Sequence, residues 1–538
     1  MIQPNVTPID YADTRRFSSL VLDYLADKEE LNPFYSFRPN AEGIQKAVQA
    51  KSASGIDRNL LVEKWNREYK HLPEEKEVLN NIQRMSDENT FTICTAHQPN
   101  IFTGPVYFIY KIQHAIALAQ ELNNKFADLH FVPVYYMGSE DADLDEIGTV
   151  FFHDTWIKWE TKQKGAVGRM KVDEAFLLMI TEMESIAKRV NSDGEEIALF
   201  RKYYQLGKTI AEATFALVHE LFGKQGLLIL DADDIHCKKT CVDIFREDLF
   251  RNQSNHLQKE GLEKFPQEYR VQASGREINL FYIEEGIRSR IERKGDRFIV
   301  HDTSLSFSED EIEEMLVSHP DRFSPNVILR PLLQERLLPN VAFVGGGSEL
   351  GYWMQLKNVF NHYGIPYPVL ILRNSFAIVD EDINGALKRF NIEVLDLFRN
   401  QSELESILMQ RKGVKILNLE AEREKINEIY SVIQGKCIGI EKTLVNHVDA
   451  LRHKADKRLI QLEKKMLRLE KKKHAALFSE VKQLQEKLLP NGSLQERTEN
   501  YFSLRLKYGS DLFDCLYNLQ QSFSESFSVA YIPNNNKG

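Results

Sequence analysis

The sequence predicts an α/β protein: a parallel β-sheet covered by helices on both faces, with an insertion and a long helical arm. Three observations predict it. Short, nearly continuous apolar runs alternate with helical stretches between residues 90 and 373, glycines and carboxylates cluster at the ends of those runs, and an apolar ladder of helical period fills 448–488. Strands buried on both faces read as unbroken apolar runs, unlike the alternation of a half-exposed antiparallel sheet.

Residues 1–88 read as helices and loops, with Leu20, Val21, Tyr24 and Leu25 at helical spacing and a polar surface helix near 64–81. The run 91–95 (FTICT) is a strand; a loop follows, then a helix from about Pro105 to Leu122. A second strand, 129–137 (LHFVPVYYM), ends in the acidic loop 139–146 (SEDADLDE). A helical stretch over 200–222 precedes a third strand, 226–234 (GLLILDADD), with carboxylates at its end. An insertion near 250–330 carries its own strand-like runs at 278–283 and 298–300. The run 341–348 (VAFVGGGS) then enters a glycine loop, with a helix over 349–362 and a strand in 367–373 (YPVLILR). Beyond about Asp380 the pattern is helical. The ladder Val448, Leu451, Ala455, Leu459, Leu462, Met466, Leu469, Leu477, Val481, Leu484 and Leu488 predicts one helix about 60 Å long, ended by Pro490. Such a stripe needs a helical partner, in the same chain or in a second subunit.

Composition narrows the class. The 538 residues are 43% hydrophobic and 28% charged, with a net charge of −10, which suits a globular protein and disfavours a dedicated nucleic-acid binder. Cys94, Cys237, Cys241, Cys437 and Cys515 are too sparse and odd in number for a disulfide framework, so a reducing, cytoplasmic setting is expected. No run approaches the roughly 18 apolar residues of a membrane span, and no membrane role is expected.

Ligands of parallel α/β sheets bind at the carboxyl ends of the strands, where this chain concentrates its polar residues. The turn 95–107 (TAHQPNIFTGPVY) places His97, Gln98 and Asn100 there, with Thr103 to cap the next helix and Gly104 and Pro105 beside it. A helix amino terminus suits phosphate or carboxylate; the plain alternative is a capped turn with a buried histidine. Ser139, Glu140, Asp141 and Asp143 could hold a metal, an amine or a ribose hydroxyl, or form an exposed acidic loop. The run 231–234 (DADD) has the same ambiguity, and Asp231 could instead cap the following helix. Gly345, Gly346 and Gly347 allow close backbone approach to a ligand; Ser348 could cap the helix and Glu349 could accept bonds from ribose. Gly207-Lys-Thr lacks the first glycine and the preceding strand of a phosphate loop, and Cys237 with Cys241 lacks a second ligand pair for zinc. The basic run 464–473 reads as a solvated helix face.

The ordered set of FTGP (102–105), SED (139–141), FSPNVILRPL (323–332), VGGGSELGYW (344–353) and LQER (494–497), with the helical arm, resembles the bacillithiol-biosynthesis cysteine-adding family, BshC. The resemblance runs from about residue 90 to the end. It implies a Rossmann-like core related to class I nucleotidyltransferases and cysteinyl-tRNA ligases, with connecting insertions and a dimerising coiled coil. The implied division is an N-terminal helical region 1–88, core parts 89–249 and 326–379, a connecting insertion 250–325, an arm 380–490, and a segment 491–538 returning to the core. The implied activity joins L-cysteine to the amino group of glucosaminyl-malate. By the same resemblance, residues 97–100 stand where nucleotidyltransferases carry a HIGH motif, with Asn100 at the second histidine. The family often has paired glutamines at 97–98 and a histidine at 142, where this chain has His97 and Ala142, so the acid–base role stays open. Zinc-dependent relatives place histidines where this chain has Tyr352 and Trp353, so no zinc is expected.

An amide requires an activated carboxylate, so the expected cofactor is ATP or ADP, with Mg2+ as a candidate companion. In this scheme His97, Thr103 and Gly104 stabilise phosphate charge, and residues 139–143 bind an ammonium or receive a proton. Residues 345–349 hold hydroxyls, while Arg330 and Arg373 pair with phosphate or malate carboxylates. Two alternatives remain: a ligase or nucleotidyltransferase for another acid and amine, and a non-catalytic nucleotide-binding scaffold. The expected partners are the small-molecule substrates and a second copy of the chain.

Overall fold

The computed structural model describes residues 4–189, 194–414, 418–523 and 525–533. They form two units, one drawn from 4–12, 16–378 and 494–533, the other from 13–15 and 379–493.

The first unit is built on five parallel strands: β1 (Thr90–His97), β2 (His130–Met137), β3 (Leu228–Asp231), β4 (Asn340–Gly345) and β5 (Val369–Leu372). Their order across the sheet is β5-β4-β1-β2-β3. The chain winds outward one way from β1 to β3, returns, and winds the other way through β4 and β5. The topological switch point therefore lies between β1 and β4. One face is sealed where helix Ala41–Ser52 (Ile44, Ala47, Val48) and helix α1 (Tyr107–Lys125; Ala115, Leu118, Leu122) pack on Phe91, Ile93, Val344 and Ile371. These strands have almost no exposed positions, which is why their sequences lack alternation.

Several details depart from the sequence reading. The polar stretch 64–81 forms two helices, Arg58–Tyr69 and Lys76–Arg84, tied to the core rather than lying free. Trp65 Nε1 donates to the Ile229 carbonyl (2.7 Å) and Asn81 Nδ2 to the Gly226 carbonyl (2.7 Å). The N-terminal region also contains a strand, Asn5–Ile9, pairing antiparallel with Phe527–Tyr531. The insertion forms a five-stranded antiparallel sheet in the order Ser306–Phe307, Arg297–Val300, Ile287–Lys294, Leu280–Glu284, Phe323–Pro325. Gly207 lies between helix Glu195–Tyr203 and α2 (Ile210–Phe222), and Thr209 caps α2 with Glu212.

In the second unit, α3 (Glu420–Ile438) and α4 (Lys442–Lys473) form a hairpin joined by the Arg423–Asp456 ion pair (2.6 Å). The arm helix thus has a partner in its own chain. It is not continuous to Leu488: it stops at Lys473, and α5 (Ala475–Leu488) begins after His474. The apolar ladder falters there, with Lys473 on the step between Leu469 and Leu477, and His474 N–H tightens onto the Lys471 carbonyl (3.1 Å).

Candidate functional site

The carboxyl end of the parallel sheet opens into a cavity of about 390 Å3, a size that suits a small-molecule ligand. His97 and Gln98 leave β1, Ser139, Glu140 and Asp141 leave β2, and Gly346, Gly347, Ser348 and Glu349 leave β4; all line it, with Arg330 and Arg373. Segments more than 200 residues apart in sequence converge because parallel strands present their ends on one rim.

The cavity has two chemical sides. On the switch-point side, Lys111 reaches up from α1, its ammonium donating to the Ala96 carbonyl (2.7 Å) and pairing with Glu349 (2.6 Å). Glu349 also accepts from Gly346 N–H (2.8 Å), so it fixes the glycine turn and Gly346, not Ser348, is the cap of helix Gly347–Met354. Arg373 is buried against Glu496 (2.6 Å), and its guanidinium lies 5.1 Å from the Tyr107 ring centre. Arg330 is set by neutral partners, Gln334 (3.2 Å) and the Tyr352 hydroxyl (2.7 Å). Burial, aided by Lys111 and Arg373, holds the His97 imidazole well below its usual range, so the ring is neutral near pH 7, with Nε2 3.4 Å from the Tyr107 hydroxyl.

The other side is acidic but internally neutralised. Lys238 is buried and its ammonium meets Glu140, Asp233 (3.1 Å) and the Asp321 carbonyl (3.2 Å). Arg169 grips Asp233 through two 2.6 Å bonds. Burial raises the Glu140 carboxyl above its ordinary range and the Lys238 ammonium opposes that rise. Asp141 accepts from Gln98 Nε2 (3.1 Å). Ser139 donates to Asp231 (2.6 Å), which sits behind the loop and outside the cavity lining.

Other sequence candidates stand elsewhere. Thr103 and Asn100 are buried outside the lining, and Gly104 packs against the Asn100 side chain. Thr103 caps no helix: α1 starts at Tyr107, after a turn with Phe102 and Thr103 at positive φ (52° and 69°). Asn500 closes that turn by donating to the Phe102 (2.8 Å) and Gly104 (2.6 Å) carbonyls, and the Glu499 carbonyl takes the Val106 N–H (2.6 Å). Of the N–H groups expected to face a phosphate, that of Val106 is thus committed to the C-terminal segment, and those of Thr103 and Gly104 to the Asn100 (3.1 Å) and Ile101 (3.0 Å) carbonyls of the turn itself. Gly345 is buried within β4, and Asp143 is exposed and caps Leu144–Ile147, accepting from Glu146 N–H (3.1 Å). Asp231 is no helix cap either; Asp234 caps Ile235–Lys239.

Sequence reading missed Tyr107, Lys111, Glu146, Arg288 and Arg497, which line the cavity, and Lys238 behind it; of the carboxylates that end the third strand, Asp233 rather than Asp231 lines it. Lys111 left a trace, as a cation inside an otherwise apolar helix stretch. Lys238 lies between Cys237 and Cys241, both buried free thiols pushed up to about 12 by desolvation. Arg288 alternates among charges on a strand that looks solvent-facing. Among the described residues, no group of three or more His, Cys, Asp or Glu side chains could hold a metal, and no helix is long and apolar enough to cross a membrane.

Fold and site together define a Rossmann-like α/β protein with a polar ligand cavity at the switch point of its sheet. Residues 5–374 match the family model "Bacillithiol biosynthesis BshC, N-terminal Rossmann-like domain", and 376–532 match "Bacillithiol biosynthesis BshC, C-terminal coiled-coil domain". Proteins named "Putative cysteine ligase BshC" are similar along nearly their whole length. The one from Cytophaga hutchinsonii is 35% identical, covering 96% of this chain and 98% of its own. That of Flavobacterium johnsoniae is 35% identical (97% and 99%), and that of Flavobacterium psychrophilum 34% (97% and 98%). The chain belongs to the BshC family of bacillithiol biosynthesis, and is a ligase-class enzyme.

Proposed function

We propose that this enzyme joins L-cysteine to the amino group of glucosaminyl-malate after a nucleotide has activated the cysteine carboxylate. One observation carries the reading: a single cavity sets cations (Lys111, Arg330, Arg373) at the glycine turn opposite carboxylates (Glu140, Asp141) on the β2 loop. The cationic side suits phosphate and carboxylate; the acidic side suits an ammonium or an amine losing its proton.

In this mechanism the cysteine carboxylate attacks the α-phosphate of ATP, forming an acyl adenylate and releasing pyrophosphate. Attack on the γ-phosphate would instead give an acyl phosphate and ADP. The sugar amine then attacks the acyl carbon, nucleotide leaves, and the amine proton passes to a carboxylate of the 139–141 loop. Neutral His97 serves as hydrogen-bond partner to phosphate oxygens, as an imidazole rather than a cation. Mg2+ would enter with the phosphates, since the carboxylates present are engaged, Asp233 by Arg169 and Lys238, Glu140 by Lys238, Asp141 by Gln98. Two copies pair through the helical hairpin, whose exposed apolar residues include Val432, Ile438 and Ile440.

Incubating purified protein with ATP, cysteine and glucosaminyl-malate should yield the thiol product and AMP or ADP by mass spectrometry. His97→Asn should lower kcat by about 100-fold, the scale of a positioned acid–base or electrostatic group. Product made without nucleotide would remove the activation step. Nucleotide binding without turnover would leave a scaffold.

A further inference from the structure

Arg288 enters the cavity from outside the parallel sheet, on strand Ile287–Lys294 of the insertion. Its Nε donates to Ser324 Oγ (3.1 Å) and its guanidinium lies 4.1 Å from the Phe281 ring centre. Among the described residues its terminal nitrogens have no acceptor, and no carboxylate lies within ion-pair distance. The other cations of the acidic side are spent: Lys238 on Glu140 and Asp233, Arg169 on Asp233. Burial weighs most against the Arg288 charge, and the nearby carboxylates that favour it are Asp141, then Glu140 and Asp233. A half-buried guanidinium held by a hydroxyl and a ring is positioned but not neutralised, which favours an incoming anion.

The segment 165–168 packs against both the strand of Arg288 and the loop of Asp141. A Cβ on Gly165, which has φ +92°, would lie 2.8 Å from Ile287 N, and one on Gly168 would lie 2.4 Å from the Ser139 carbonyl oxygen. The same segment is pinned by Val167 N–H to the Asp141 carbonyl (2.7 Å) and Gly168 N–H to the Ser139 carbonyl (2.9 Å). An arginine and an aspartate kept apart in one cavity match a ligand carrying a carboxylate beside an ammonium.

We propose that Arg288 and Asp141 form a subsite for the head group of a zwitterionic α-amino acid, the guanidinium taking its carboxylate and the Asp141 carboxylate its ammonium. This deepens the proposed function, on which it rests for the identity of the amino acid. It also makes the insertion sheet part of substrate recognition.

The test is calorimetric binding of cysteine, cysteamine (no carboxylate) and 3-mercaptopropionate (no ammonium) to the full chain, wild type and Arg288→Met. Cysteine should bind wild type about 10- to 100-fold more tightly than cysteamine, and Arg288→Met should erase that difference while leaving cysteamine unchanged. Arg288→Lys, which keeps the charge, should recover part of it and guards against misfolding of the first variant. Asp141→Asn should weaken cysteine but not 3-mercaptopropionate. Equal losses for cysteine and cysteamine in both Arg288 variants, or an effect confined to ATP or glucosaminyl-malate, overturn the subsite. The wild-type ligation assay reports separately on the function: product formed with an indifferent Arg288 leaves the function standing and the subsite refuted.

Discussion

Lys238 has no access to water, yet its ammonium meets Glu140, Asp233 and the Asp321 carbonyl. An ion buried at this depth depends on its partners, and they depend on it. Lys238→Met should destabilise the protein by about 3–5 kcal/mol in a urea titration, because it leaves carboxylates desolvated without their cation. Adding Glu140→Gln should restore part of that loss, since the amide needs no countercharge. Equal stability of wild type and single variant would show that the cluster is solvated. Single residues are also where the sequence was hardest to read. Lys238 and Arg288 resemble surface charges in the one-dimensional pattern, and only the elements around them put one behind the cavity and the other in its wall. His97 and Glu140 were legible because they end apolar strands.

At the scale of elements, the segment 165–168 has only the single 3-10 turn Val167–Arg169 to mark it, yet it packs against both the Arg288 strand and the 139–141 loop. Gly168→Ala places a methyl against the Ser139 carbonyl, and the 139–141 loop must shift. The expected result is a kcat/KM for cysteine lowered at least about tenfold, with a stability loss of about 1–3 kcal/mol. Gly385→Ala is the control: nothing lies within 4 Å of its added methyl in helix Glu381–Phe390, and it should keep full activity and gain about 0.5–1 kcal/mol. An unchanged Gly168→Ala would show that the loop yields freely. The helix amino terminus after β1 teaches the converse. Its local sequence resembles an anion site, but Asn500 and Glu499, some 400 residues later, occupy the turn's carbonyls and a helix N–H.

For the whole molecule, the hairpin of α3 and α4 leaves Val432 and Ile438 60% exposed and Ile440 77% exposed. Apolar side chains at this exposure on a helical pair favour association. Sedimentation equilibrium at micromolar concentration should give twice the chain mass, and Val432→Glu with Leu462→Glu should return it to one. A wild type that stays monomeric would remove the arm as a pairing surface.

The sequence alone determined the parallel sheet, its insertion and the helical arm, because burial on both faces of a strand and on one stripe of a helix is written in local periodicity. It also pointed to the rim where the cavity opens, since strand ends follow from strands. Tertiary structure decided which polar residues face the cavity. A charge becomes a cavity wall, a buried counterion or a cap according to neighbours contributed by distant segments, and the free energy of placing it depends on those neighbours rather than on its own stretch of chain.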